Sequence, residues 1–271
     1  MSAKRPIIRL EKVSKAFGPV VVLDEVDLDI YPGQTLVAIG PSGCGKTVLI
    51  KHIVGLIKPD SGRVFFRDQD MTVMSEKELV EVRRHMGFLF QGGALFDSMT
   101  VGQNVCFPLE DHGVGDPAFR RRRCHEVLSL VGLDGMQDRY PEELSGGQRK
   151  RVALARAVAL GPEVILYDEP TTGLDPIRAD LINELILKLQ HTLHTTAVVV
   201  THDMTSARKV GDRIVMLHQG KIIADAGPEE LMQSPQEAVR RFIQGLADEQ
   251  ELAEIRASDL SENGPDFKEK P

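Results

Sequence analysis

The chain has 271 residues, 42% of them hydrophobic and 27% charged, with a formal net charge of −7 at pH 7. Such proportions suit one large folded domain with a full core and exclude wholesale disorder, a collagen-like chain or a coiled coil. The longest apolar runs, such as 164–167 and 197–200, fall far short of the roughly 18 residues a membrane span requires, and the acidic balance argues against a nucleic-acid binder, which needs a dense positive surface.

The charge is unevenly spread. Residues 247–271 hold eight acidic and three basic side chains, so the tail carries −5 and the rest of the chain −2. Cys44, Cys106 and Cys124 are odd in number and lack metal-ligand spacing, which fits a reducing compartment. Residues 1–9 contain no apolar signal core, so the expected location is the cytoplasm.

Residues 7–13 and 20–30 alternate apolar and polar side chains about a break at Phe17, Gly18 and Pro19, which predicts antiparallel β-structure at the start. Next come a short apolar strand at 35–40, a glycine-rich turn and a helix over about 46–56, stopped by Lys58-Pro59-Asp60-Ser61-Gly62. Further strands are predicted at 62–67 and 86–90, separated by a helix whose start carries the capping pair Ser75 and Glu78. Between about 92 and 161 helical signals replace strand signals, notably at 118–131 and 148–160, and predict an inserted helical subdomain. Strands return at 164–168, 196–201 and 213–217, alternating with helices near 177–193 and 204–210. The predicted class is α/β with a mostly parallel core sheet.

Gly40-Pro41-Ser42-Gly43-Cys44-Gly45-Lys46-Thr47 satisfies G-x-x-x-x-G-K-[ST] and sits between a predicted strand and a predicted helix. Glycines let backbone N–H groups turn toward a polyphosphate, and the helix N-terminus adds partial positive charge. Lys46 is expected at the β- and γ-phosphates, and Thr47 supplies a hydroxyl for Mg²⁺. Residues 164–169 read as a buried strand ending in Asp168 and Glu169, where a doubly wound sheet meets its ligand. Asp168 fits a place near Mg²⁺ and Glu169 a general base; alone, the pair is equally a solvated strand end. Leu144-Ser145-Gly146-Gly147-Gln148 opens a helix whose first turn carries Arg149, Lys150 and Arg151, an unfavourable place for cations unless an anion faces it. By itself this is also a solvated basic turn with a serine cap.

The phosphate loop, the 144–148 segment and Asp168-Glu169, in this order and spacing, resemble an ATP-binding-cassette (ABC) ATPase over about residues 7–245. The resemblance implies an ABC-type P-loop ATPase with an antiparallel β subdomain. It makes Phe17 the adenine-stacking aromatic, Gln91 a Mg²⁺ contact and γ-phosphate sensor, Gly173-Leu174-Asp175-Pro176 a loop crossing to a partner subunit, and His202 a γ-phosphate switch. Singly, Phe17 also reads as a core aromatic, Gln91 as a strand-end polar residue and His202 as a cap. The nucleotide set it implies is Phe17, residues 40–47 and Val48 on one subunit, with Ser145, Gly146, Gly147, Gln148 and Asp175 facing across a head-to-tail homodimer. Its catalytic set is Lys46, Gln91, Glu169 and His202; its metal set is Thr47, Gln91 and Asp168. The cations at 149–151 are expected to face phosphate. Cys44 is expected to have either a thiol pKa lowered by the loop amides or the role of inert filler.

One cassette without a membrane span implies a separate permease dimer. The interval from Gln91 to Leu144 is too short for the long coiled coil of DNA-repair cassettes, and Arg120 to Arg123 reads as a solvated helix face, so no nucleic-acid partner is expected. Residues 90–101, with Asn104-Val105-Cys106-Phe107-Pro108-Leu109, are similar to the branch that drives phospholipid transport with MCE-type carriers. That branch implies a periplasmic MCE-domain protein, a small cytoplasmic STAS-domain protein and a place on the cytoplasmic face of the inner membrane. Pro108-Leu109 also suits amino-acid importers. Ala94, Leu95, Phe96, Met99 and Val101 are expected either to form a groove for a permease helix or to belong to the subdomain core. Beyond Gly245, the stripe of Val239, Phe242, Ile243 and Leu246 continues toward Leu252, Ile255, Leu260 and Phe267, either a docking arm or an unfolded end.

Overall fold

The computed structural model describes residues 5–247 and 252–253, in two compact units divided after Pro228. Chain order in the first unit begins with β1 (Ile8–Phe17), β2 (Val20–Ile30), β3 (Thr35–Ile39) and α1 (Lys46–Ile53). β4 (Ser61–Phe66), β5 (Gln69–Asp70), α2 (Glu76–Arg83) and β6 (Met86–Leu89) follow. The helical stretch is α3 (Val101–Asp111), α4 (Pro117–Leu130) and α5 (Gly146–Val158). Then come β7 (Val164–Asp168), α6 (Pro176–Leu193), β8 (Thr196–Val200), α7 (Met204–Val210), β9 (Arg213–His218) and β10 (Lys221–Ala226). α8 (Pro228–Met232) runs into the second unit, which also holds α9 (Glu237–Gln244).

Two sheets result. β2-β1-β4-β5 is antiparallel, with β1 and β2 joined at the Gly18-Pro19 turn; β10-β9-β3-β8-β7-β6 is parallel except for β10. This is the architecture that the resemblance to ABC ATPases implies. Every residue of β3, β7 and β8 is buried, which explains their unbroken apolar runs: a parallel strand covered on both faces has no polar side to show. α1 stops at Ile53, before the expected Leu56, because Gly55 takes φ 68° and the Leu56 N–H donates back to the Lys51 carbonyl at 2.9 Å. α2 starts as expected, with Ser75 and Glu78 capping each other.

α3 is a helix that periodicity did not predict, since Pro108 lies inside it and the polar Asn104 occupies a core position. Thr100 and Gln103 cap its start. Asn104 is fully buried and satisfied: it accepts from the Phe96 N–H at 2.8 Å and donates to the carbonyls of Phe96, Met99 and Thr100 at 3.0–3.1 Å. It thereby ties the 96–100 loop to α3. No helix among the described residues is long and apolar enough to cross a membrane. Val239, Phe242 and Ile243 do lie on a helix, α9, whereas Ile255, Leu260 and Phe267 fall outside the described residues.

Candidate nucleotide site

The spatial order β3-β8-β7-β6 brings four strand ends to one edge. β3 leads into the glycine loop, β8 into Thr201 and His202, β7 into Asp168 and Glu169, and β6 into Phe90 and Gln91. Parallel strands point their carboxyl ends the same way, so segments far apart in sequence meet on that side.

Gly40 has φ 150°, and a Cβ there would drive into the Leu217 carbonyl, so the loop leaves β3 by a path open only to glycine. The buried Lys46 ammonium donates to the carbonyls of Gly40 at 2.7 Å and Pro41 at 2.9 Å, which sets the positive charge in the loop. A cavity of about 390 Å³ opens beside it, lined by Phe17, Ser42, Gly43, Gly45, Lys46, Thr47 and Val48 of the first part of the chain and by Gln91, Glu169 and His202. Phe17 is 49% exposed, with the Lys15 ammonium 5.5 Å from its ring centroid, so it is not a core aromatic.

Thr47 Oγ1 donates to Asp168 Oδ1 at 3.1 Å. Asp168 is 5% exposed, and burial pushes its carboxyl pKa up, with the Thr47 hydrogen bond opposing. A buried, under-compensated carboxylate beside a hydroxyl is a hard-oxygen pair that fits a divalent cation such as Mg²⁺. Glu169 is 8% exposed in a left-handed backbone conformation, φ 49°. His202 Nδ1 lies 2.9 Å from its Oε2, and Thr172 Oγ1 donates to the same oxygen at 3.0 Å.

Ser145, Gly146, Gly147 and Gln148 are not part of this cavity. They form the start of α5, where Ser145 N donates to Gln148 Oε1 at 2.8 Å, and Ser145 is exposed. Asp175 is also elsewhere: it caps α6, accepts from the Arg178 N–H at 3.0 Å and pairs with the Arg178 guanidinium.

Within the subunit the cations of α5 are held by main-chain carbonyls: Arg149 donates to that of Leu144, Lys150 to those of Gln91 and Glu169, and Arg151 to those of Val131 and Gly132. Two readings need correction. Burial pushes the Cys44 thiol pKa up, outweighing Lys46 and the loop amides, so the activated-thiol expectation fails. Arg120 to Arg123 is only half a solvated face; Arg120 reaches the Val114 carbonyl, and Arg123 caps α5 at Val158 and Ala159. Thr172 and Thr201 were missed as site residues, and nothing in their local sequence separates them from surface polar residues; Lys150 stood out only as a cation near the start of a helix.

A second depression of about 400 Å³ is lined by Phe88, Phe90, Ala94, Phe96, Phe107 and Pro108 among others. Val101, expected there as one alternative, is instead fully buried core.

The ABC transporter family matches residues 23–172. The chain belongs to this family. As an ABC cassette it is 40% identical over 238 residues to the probable ribonucleotide transport ATP-binding protein mkl of Mycobacterium leprae, covering 88% of this chain and 69% of that one. The Mycobacterium tuberculosis counterpart is spanned over 66% of its length. Identity is 40% over 253 residues to the methionine import ATP-binding protein MetN of Geobacillus kaustophilus, covering 92% and 74% of the two chains. It is 39% over 242 residues to the intermembrane phospholipid transport system ATP-binding protein MlaF of Haemophilus influenzae, covering 89% and 92%. A solved dimeric ATP-binding cassette in a post-hydrolysis state, bound to ADP and Pi, superposes with TM-score 0.75 at 35% identity, covering 82% of this chain and 98% of that one. The chain is an ATPase that binds ATP.

Proposed function

We propose that this ABC ATPase powers a transporter that moves phospholipid between inner and outer membranes, with residues 1–245 as nucleotide-binding domain, 92–161 as its helical subdomain and 246–271 as an acidic extension. The catalytic half of the reading is carried by the convergence of Phe17, Lys46, Thr47, Gln91, Glu169 and His202 on one cavity. Phe17 offers its ring to adenine, while the amides of residues 40–48 and the Lys46 ammonium hold the phosphates. Glu169 takes a proton from the attacking water, leaving hydroxide to bond to the γ-phosphorus as ADP departs; a positioned base contributes about 10²- to 10⁴-fold. His202 and Thr172 fix the carboxylate that does this. Thr47, Gln91 and Asp168 would hold Mg²⁺, which neutralises phosphate charge.

The separation of the Ser145 segment from the cavity supports a head-to-tail homodimer, in which the exposed N-terminus of α5 meets the partner's nucleotide and the Asp175 loop crosses between subunits. The dimeric state of the solved relative is consistent with this. The depression around Phe88, Phe96 and Phe107 suits an apolar helix of an integral-membrane permease dimer. Phospholipid is supported by the character of residues 90–109 together with the match over 92% of MlaF. On this reading the ATPase sits peripherally on the cytoplasmic face of the inner membrane, with a periplasmic MCE-domain protein and a small STAS-domain protein as further partners and no nucleic acid.

The match to MetN favours a second reading, the ATPase of an amino-acid importer. Affinity purification from native membranes separates the two. Recovery of an MCE-domain chain with bound phospholipid is expected; a permease with a solute-binding protein and no MCE chain overturns the lipid reading.

A further inference from the structure

Lys150 lies on the second turn of α5, is 7% exposed, and its ammonium donates 2.7 Å to the Gln91 carbonyl and 3.2 Å to the Glu169 carbonyl. A buried ammonium is costly, and burial does push this one's pKa down, with Glu169 and Asp168 pulling it up. Solubility cannot explain a charge placed there, and a methionine would fill the same space. What the ammonium adds is two bonds to the main chain of the residues that follow two neighbouring strands, Gln91 after β6 and Glu169 after β7.

Gln91 opens the loop toward Phe96, and α5 grips that loop again farther on: Arg156 donates to the carbonyls of Gly93 and Ala94 at 2.7 Å and lies over the Phe96 ring. Loop and helix are therefore tied together at several points, with Ser145 at the start of the helix and Phe96 at the apolar depression. Glu169 directly follows β7, and its own N–H donates to the Val200 carbonyl of β8. The Lys150 ammonium links α5 to the strand ends of the sheet at Glu169.

We propose that Lys150 is a positioning residue that couples α5 to the water-activating carboxylate, so that displacement of α5 at its tip or its groove is felt at Glu169 in the same subunit. The inference rests on the roles given above to Gln91 and Glu169. Its physical basis is that a rigid helix moves as a unit, and that five residues, about 7.5 Å of axis, separate Ser145 from Lys150.

The test is steady-state ATP hydrolysis by the full chain carrying Lys150→Met, with Glu169→Gln assayed beside it and thermal unfolding of both. Loss of the charge-assisted hydrogen bond to the Glu169 main chain predicts a fall in kcat of about 10- to 100-fold with the KM for ATP nearly unchanged. A merely structural residue would lower Tm and move KM as well. A kcat near wild type for folded Lys150→Met overturns the coupling, even where Glu169→Gln is inactive. An active Glu169→Gln instead overturns the base reading. If Lys150→Met fails to fold, Lys150→Arg decides: a folded protein retaining most of kcat supports the proposal, and one as impaired as a base variant contradicts it.

Discussion

Lys46 and His52, six residues apart on one helix, show two uses of a buried basic side chain. The Lys46 charge is answered by two carbonyls and faces the cavity. On the proposed assignment, Lys46→Ala weakens ATP binding by about 10- to 100-fold, the value of a charge-assisted bond of ~1.5–3 kcal/mol. Equilibrium titration with ATP checks this, and unchanged affinity contradicts the contact. His52 is 1% exposed; its Nδ1 donates to the Val48 carbonyl at 2.8 Å, while Nε2 has no hydrogen-bond partner. Burial pushes its pKa down from the ordinary histidine value. A histidine kept neutral by the fold stabilises the folded state above its unfolded pKa, and that contribution is lost as pH falls through the window near 6.5 and below. His52→Leu should therefore unfold with a shallower loss of stability between pH 7 and pH 5 than the parent chain, measured by denaturant titration at both pH values. Equal slopes would leave His52 without a share in the acid sensitivity.

At the scale of elements, the approach of α5 to the sheet sets where Gln91 sits. Gly87 on β6 meets the Ala157 carbonyl of α5 so closely that a Cβ would overlap it, and the Pro162 ring lies just beyond. Gly87→Ala should cost about 1–3 kcal/mol of overpacking, a Tm drop of roughly 2–12 °C at about 2–4 °C per kcal/mol. Calorimetry checks it; an unchanged Tm would mean that α5 yields freely. The strand–loop–helix unit around Gly40 to Thr47 and the β7 strand were legible because their signals are local: glycines that only one backbone path uses, and an apolar run ending in carboxylates. α3 was not, because Pro108 and Asn104 disguise a core helix whose polar residue is satisfied by a loop eight residues away. Nor was β10, which pairs with β9 at the edge of its sheet among the described residues. Lys150 was visible as a charge in an awkward place, but its two carbonyl partners lie 59 and 19 residues away, so its contact could not be read from the neighbouring sequence. Cys44 misled because amides and burial act oppositely on a thiol, and only the folded loop says which prevails.

At the scale of the whole molecule, the proposed head-to-tail dimer gives each chain half of two sites. Phosphate loop and base share a cavity, while the Ser145 tip of α5 lies outside it. A chain that completed its own site would bring these together, which is why the account requires a second copy. On the permease side, Phe96→Asp places a charge in the apolar depression and should abolish co-purification with the permease while the chain still binds ATP; intact co-purification would move the docking site elsewhere. The central claim, two subunits closed on ATP with Glu169 activating water, is tested most directly by Glu169→Gln. The amide cannot accept the water proton, while every contact proposed for the nucleotide remains. Sedimentation with Mg-ATP, run beside a phosphate-release assay, should find a stable ATP-bound dimer with hydrolysis lowered at least ~100-fold; a monomer that releases phosphate near the parent rate would contradict the account.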